Sequence, residues 1–271
     1  MDARLQRRVQ RYGWDKASGT YEEFWQEQLR PARERLLEMA ILRPGETLLD
    51  IACGTGLDSF EALEMLGPEG RLLGTDISEK MVEKAAAAAV ENGFSNARFQ
   101  WMDAEDLQVE PGSFDVVLCS LGLMYIPDPR KALEEMRRAL RLGGRAVCSV
   151  WGPRESCGWA DLFEIVDRNV ASEVCPMFFQ LGRPDMLMLT FKAAGFDEVT
   201  VVRIATLLVY KDDREALGAA FEGGPVALAY HKFSDEVKDI VHRDYLASIG
   251  QYRHNGGYAI PGEFVIARGE R

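Results

Sequence analysis

The chemistry-bearing residues of this chain begin in the segment DIACGTGLDS (50–59), which directly follows the apolar run TLLDI (47–51). A glycine loop between a first strand and a first helix brings backbone N–H groups close to a bound nucleotide. Gly54 and Gly56 supply such a loop, with Ala52 and Cys53 as small neighbours. A dinucleotide fingerprint would place a third glycine at residue 59, so that the helix can pack tightly beneath a pyrophosphate; Ser59 stands there instead. Asp50 lies on the strand itself, where a carboxylate sits poorly beside a pyrophosphate but suits a ligand with cationic groups. Two more acids end or follow later apolar runs: Asp76 in LLGTDIS and Asp103 in QWMDAED. A carboxylate at the end of the second strand can accept hydrogen bonds from both hydroxyls of a ribose. Asp103 can accept from an adenine amino group, with the Ala104 N–H beside it. Ile77 and Met102 are placed to sandwich the ring, and Met81 adds an apolar wall.

The elements that must hold these groups follow from hydrophobic periodicity. Residues 1–43 read as helical, with a clear apolar stripe over PARERLLEMAIL (31–42). Strands are predicted at 47–51, 71–76, 97–102, 114–120 and 145–151, with helices between them. One helix spans 57–66, a second is capped by Ser78 and stops at Asn92-Gly93, and a third opens at Asp128-Pro129. That third helix carries Ala132, Leu133, Met136, Ala139 and Leu140 on its buried face and should end at Gly143-Gly144. Strand–helix alternation of this kind specifies an α/β doubly wound sheet. Beyond Trp151 the pattern loosens into helices near 158–171 and 184–194, a strand over 198–209, a helical stretch over 212–249, and a last strand over 263–267. The expected organisation is one domain: a helical cover (1–43), a ligand-binding core (44–151), and a remainder (152–271) with an insertion at about 210–256.

Composition narrows the partners. Lys+Arg 32 against Asp+Glu 43 gives a net charge of −11. That balance argues against general affinity for nucleic acid or anionic membrane, both of which need a basic surface. No apolar run is long enough to span a bilayer, and the N-terminus lacks the apolar core of a secretory signal. The cysteines at 53, 119, 148, 157 and 175 form no CxxC pair and follow no metal spacing, so they read as reduced thiols of a cytoplasmic protein with no metal site.

Taken together, the missing third glycine, Asp50 and the successive acids favour S-adenosylmethionine over NAD(P). The segments LLDIACGTGLDSF, LLGTDISEKMVEKA and FQWMDAEDL through GGRAVCSVW resemble the type 11 group of class I S-adenosylmethionine-dependent methyltransferases, which includes the ubiquinone and menaquinone C-methyltransferases. The resemblance covers roughly 44–151. It implies a Rossmann-like sheet of seven strands, the last antiparallel, with an insertion between strands six and seven. It also implies cofactor contacts from Asp50, Gly54, Gly56, Asp76, Asp103 and Ala104, and from Ser120 after the fourth strand.

The acceptor side is less marked. The expected reaction is direct displacement of a methyl group onto a small organic acceptor, driven mainly by positioning and needing no covalent enzyme intermediate. His231, beside Tyr230 and Phe233, is the first candidate for a base; Tyr125 after the fourth strand and Tyr21 in the aromatic N-terminal region are the others. Cys53 is expected to be small packing rather than a nucleophile. Two alternatives remain open at this level: an NAD(P)-dependent oxidoreductase, and a non-catalytic S-adenosylmethionine-binding module. The acceptor atom is open, and so is assembly, a homodimer included.

Overall fold

A computed structural model describes residues 2–170, 175 and 177–271. Helices α1 (Ala3–Ala17) and α2 (Tyr21–Ala40) lead into β1 (Thr47–Ile51), α3 (Leu57–Leu66), β2 (Arg71–Asp76), α4 (Glu79–Glu91) and β3 (Ala97–Trp101). Then come β4 (Phe114–Ser120), α5 (Pro129–Ala139), β5 (Leu140–Trp151), α6 (Asp161–Asp167), α7 (Met186–Ala193) and β6 (Asp197–Tyr210). The chain closes with α8 (Asp213–Leu217), α9 (Ala227–Tyr230), α10 (Asp235–Ser248), β7 (Arg253–His254) and β8 (Gly257–Glu270).

The sheet runs β3-β2-β1-β4-β5-β8-β6, with the short β7 paired to β8 outside this path. Pairings among β1 to β5 are parallel, and β8 is antiparallel to both β5 and β6. The fold is the Rossmann-like α/β sheet expected, extended by β7. Strand order reverses beside β1: the chain winds outward to β3 and returns to β4, which opens a crevice at the carboxyl ends of β1 and β4. Central strands are buried on both faces, as apolar parallel strands covered by helices must be.

Local signals act as their chemistry requires. Ser78 Oγ accepts the Met81 N–H at the start of α4, and Asp128 accepts the Lys131 N–H at the start of α5. Some boundaries differ from expectation. α5 ends at Ala139 rather than at Gly143-Gly144, because Leu140 is drawn into pairing with Phe114 of β4. The stretch expected to be helical over 212–249 is divided into α8, a π-turn at Gly218–Glu222, α9 and α10. The last strand is longer than 263–267, since β8 pairs with β6 from Tyr258 to Glu270. The helix expected near 158–171 is α6, and the end expected at residue 171 lies outside the described residues.

Candidate functional site

The glycine loop after β1 is held by backbone geometry. Gly54 and Gly56 have φ of +56° and +96°, a region that favours glycine, and Ala52 shares it at φ 56°. A Cβ on Gly56 would also meet the Phe60 ring at 2.7 Å. The Gly54 N–H donates to Asp76 Oδ2 at 2.9 Å, and the Ser78 N–H donates to Asp76 Oδ1 at 2.8 Å. Asp76 therefore ties the first loop to the end of β2 while its remaining lone pairs stay available. Its burial pushes the carboxyl up to about 6.

Asp50 is buried beneath this loop. Its Oδ2 accepts the Ser59 hydroxyl at 2.5 Å, whereas Oδ1 has no partner among the described residues. Burial, reinforced by Asp58 and Asp76, pushes Asp50 up to about 8. A second orphan, the buried Thr55 Oγ1, borders a recess lined by Gly54, Asp58 and Arg33. Arg33 projects from α2, donates to Asp58 Oδ1 at 3.0 Å and pairs with Glu61.

A cavity of about 780 Å³, its open mouth included, occupies the carboxyl edge of the sheet. Of the residues singled out in the sequence, Ala52, Gly54, Asp76, Ile77, Met81, Met102, Asp103, Ala104 and Ser120 line it, as do Tyr21 and Tyr125. Asp50, Cys53 and Gly56 do not: Asp50 lies beneath the loop, Gly56 belongs to its turn, and Cys53 borders the neighbouring recess instead. Burial raises the Cys53 thiol well above its ordinary range, which leaves it protonated and inert.

Several lining residues escaped the sequence reading. Gly122 packs so closely on the first loop that a Cβ there would stand 2.4 Å from the Ala52 Cβ. Arg7 and Gln10 reach the cavity from α1, beside Trp14 of the aromatic N-terminal region that the sequence marks. Arg7, Arg11 and Asp15 recur at helical spacing and latch α1 over the site. Arg7 reaches Asp103 Oδ2 at 2.8 Å and Glu105 Oε2 at 2.5 Å, Arg11 reaches Glu79 at 2.5 Å, and Asp15 accepts the Ser78 hydroxyl at 2.7 Å. Asp103 thus holds the cover as well as bordering the cavity. Only this charge spacing in the N-terminal helix pointed to the latch, and its partners are far away in sequence.

A second cavity, of about 430 Å³ with its open mouth included, adjoins the first. Trp14, Tyr21, Leu121 and Tyr125 line both. Ring contacts run along it in series: Tyr21–Trp14 at 5.8 Å, Trp14–Tyr125 at 5.3 Å, Tyr125–Phe178 at 5.3 Å, Phe178–Trp159 at 5.6 Å, Trp159–Trp151 at 5.0 Å and Trp151–Trp25 at 6.2 Å. All are edge-to-face pairs, the geometry that ring quadrupoles favour.

The expected base is not there. His231 is exposed at the end of α9 and lines neither cavity. The helix that carries it turns Tyr230 inward, where the Tyr230 hydroxyl and His242 Nε2 lie 3.0 Å apart. His254 is likewise exposed. Tyr21 and Tyr125 stand where the two cavities meet, and burial pushes both phenols well above their ordinary range. Both remain protonated near neutral pH and can donate a hydrogen bond, not remove a proton.

The glycine loop, the acids at the strand ends and the sheet order agree with comparison to known proteins. Residues 42–176 match the profile of a methyltransferase domain. This segment is a methyltransferase domain. The family is S-adenosylmethionine-dependent. The chain is 39% identical over 132 residues to nocamycin O-methyltransferase of Saccharothrix syringae, covering 49% of this chain and 47% of that protein. It is 39% identical over 126 residues to demethylmenaquinone methyltransferase of Lactococcus lactis, covering 46% and 50%. The chain thus spans about half the length of these curated relatives. Among solved structures, the YcgJ protein of Bacillus subtilis shares the fold, with a TM-score of 0.62, 20% identity, and coverage of 89% of this chain and 98% of that one.

Proposed function

We propose that the whole chain transfers a methyl group from S-adenosylmethionine to a small organic acceptor. The observation that carries this reading is the junction of the two cavities: one is edged by the loop and acids of the methyltransferase domain, the other is aromatic, and Tyr21 and Tyr125 belong to both. Asp76 would take the ribose hydroxyls, Ile77 and Met102 the faces of the adenine, and Asp103 with Ala104 its edge. The methionine end would lie toward Gly54 and the recess of Arg33 and Thr55, where the Thr55 hydroxyl is without a partner among the described residues. Asp50, one layer beneath, would offset the positive charge of the ligand. The donor supplies a methyl group on a sulfonium, which an acceptor atom held in line can displace directly.

On the acceptor side, Tyr21 and Tyr125 are proposed as donors that orient the acceptor, while α1 and α2 exclude water from the junction. All five cysteines are free, which fits a reducing compartment, and we take the protein to act in the cytoplasm. Among the described residues no helix is long and apolar enough to cross a membrane.

Titration calorimetry with S-adenosylhomocysteine and with NAD(P) tests the reading. Binding of the former and not the latter is expected. A Tyr125→Phe variant should keep that binding and lose about tenfold or more in kcat with any acceptor found. Binding of NAD(P) in place of S-adenosylhomocysteine would overturn the assignment.

A further inference from the structure

We infer that the second cavity selects a neutral aromatic acceptor bearing a carbonyl-type oxygen, and that Trp159 is the residue that recognises this oxygen. The inference rests on the methyltransferase reading above and deepens it.

The walls carry no carboxylate, ammonium, guanidinium or imidazole among the described residues. Burying an unpaired charge in such surroundings costs far more than burying a neutral ring, so a phosphate-bearing or carboxylate-bearing acceptor would be rejected. The edge-to-face series offers the shape and quadrupole match that a planar ring needs.

Polarity then narrows the choice further. The Trp159 Nε1 is buried and donates to nothing among the described residues, though Trp159 is only 4% exposed. An indole nitrogen is a donor only, so its missing partner must be an acceptor atom. The Tyr21 and Tyr125 hydroxyls remain protonated, so each can donate to a ligand as well as accept from it. An unpartnered indole donor on a wall residue, with two hydroxyls lining the same cavity, matches oxygen lone pairs. An alkylammonium has N–H groups of its own to satisfy, and among the described residues no carboxylate lines the cavity to receive them. Such a cation would have only phenol oxygens and ring faces to meet, which repay less of the desolvation of a full charge than a carboxylate would.

Three probes of one shape separate these outcomes: 1-acetylnaphthalene, 1-ethylnaphthalene and 1-(1-naphthyl)ethylammonium. Each is titrated calorimetrically into the full chain saturated with S-adenosylhomocysteine. The ketone should bind about tenfold more tightly than the other two, because the hydrocarbon leaves a buried donor unpaired. Trp159→Phe, which keeps a ring, should bring the ketone down to the level of the hydrocarbon and leave S-adenosylhomocysteine affinity unchanged. Equal binding of ketone and hydrocarbon to the unaltered protein would overturn the inference without any variant. So would preferential binding of the cation, or a ketone preference that survives Trp159→Phe. Failure of S-adenosylhomocysteine to bind would instead sink the methyltransferase reading, so the two failures are told apart in the first titration.

Discussion

Asp76 Oδ2 accepts the Gly54 N–H at 2.9 Å, so the carboxylate that closes β2 also sets the conformation of the loop that follows β1. Asp76→Ala removes this bond and the proposed ribose acceptor together. Charged hydrogen bonds contribute roughly 1.5–3 kcal/mol each, so S-adenosylhomocysteine affinity should fall on the order of a hundredfold. Calorimetry on the variant reads it directly, and a change of less than threefold would remove Asp76 from the site.

Asp50 gives a proton-linked signature. With its carboxyl pushed up to about 8, Asp50 is mostly protonated at pH 7 in the free protein. A sulfonium and an ammonium brought near it favour the ionised form, so its pKa falls and a proton leaves on binding. Asp76, pushed up to about 6, is already largely ionised at pH 7 and adds release mainly nearer pH 6. Calorimetry with S-adenosylmethionine at pH 7 in two buffers of different ionisation enthalpy should show net proton release. The release should fade above pH 8 and disappear in Asp50→Asn. Net uptake at pH 7, or none, would contradict the electrostatic role given to Asp50.

The contrast between Asp76 and Trp159 explains what the sequence made legible. Asp76, Asp103 and the glycine loop are local devices: each ends or follows a strand, and parallel winding alone brings them to one edge. The strand–helix alternation and most residues proposed for the cofactor side could therefore be read from periodicity and spacing. The aromatic cavity is assembled from α1, α2, β5, the segment after it and the insertion, whose mutual packing no local period encodes. For the same reason Tyr125 is marked by its place beside a strand end, whereas His231 is marked only by its aromatic neighbours in sequence and is exposed. Asp50 shows a subtler limit. The spacing puts it on the strand before the loop, but a residue on that buried strand lies beneath the loop and does not line the cavity.

Close approach of the loops after β1 and β4 makes a clear prediction for Gly122. A Cβ added there would stand 2.4 Å from the Ala52 Cβ and 3.0 Å from Cys119 Sγ. Gly122→Ala should destabilise the fold by about 1–3 kcal/mol, the usual cost of overpacking. Ala52 itself holds φ 56°, which glycine adopts more readily. Ala52→Gly in the same chain should therefore restore much of the loss. Denaturant unfolding of the two single variants and the double variant measures the coupling. Simple additivity would mean that the loops separate easily and that the contact does not fix the site.

The latch of α1 predicts a kinetic effect larger than its thermodynamic one. The buried face of this helix carries Gln6, Gln10, Gly13 and Ala17, so few apolar groups anchor it, and Arg7 spans to Asp103 and Glu105. Arg7 is 29% exposed, and ion pairs of this kind contribute at most about 1 kcal/mol to global stability. Arg7→Ala should therefore lower Tm only slightly. It should nevertheless speed dissociation of S-adenosylhomocysteine severalfold, because a cover that opens more often releases what lies beneath it. Raising ionic strength should mimic the variant in the unaltered protein and have little further effect on the variant. Stopped-flow dissociation at two salt concentrations decides the point. An unchanged off-rate in Arg7→Ala would show that α1 does not gate the cavity, whatever its position over it.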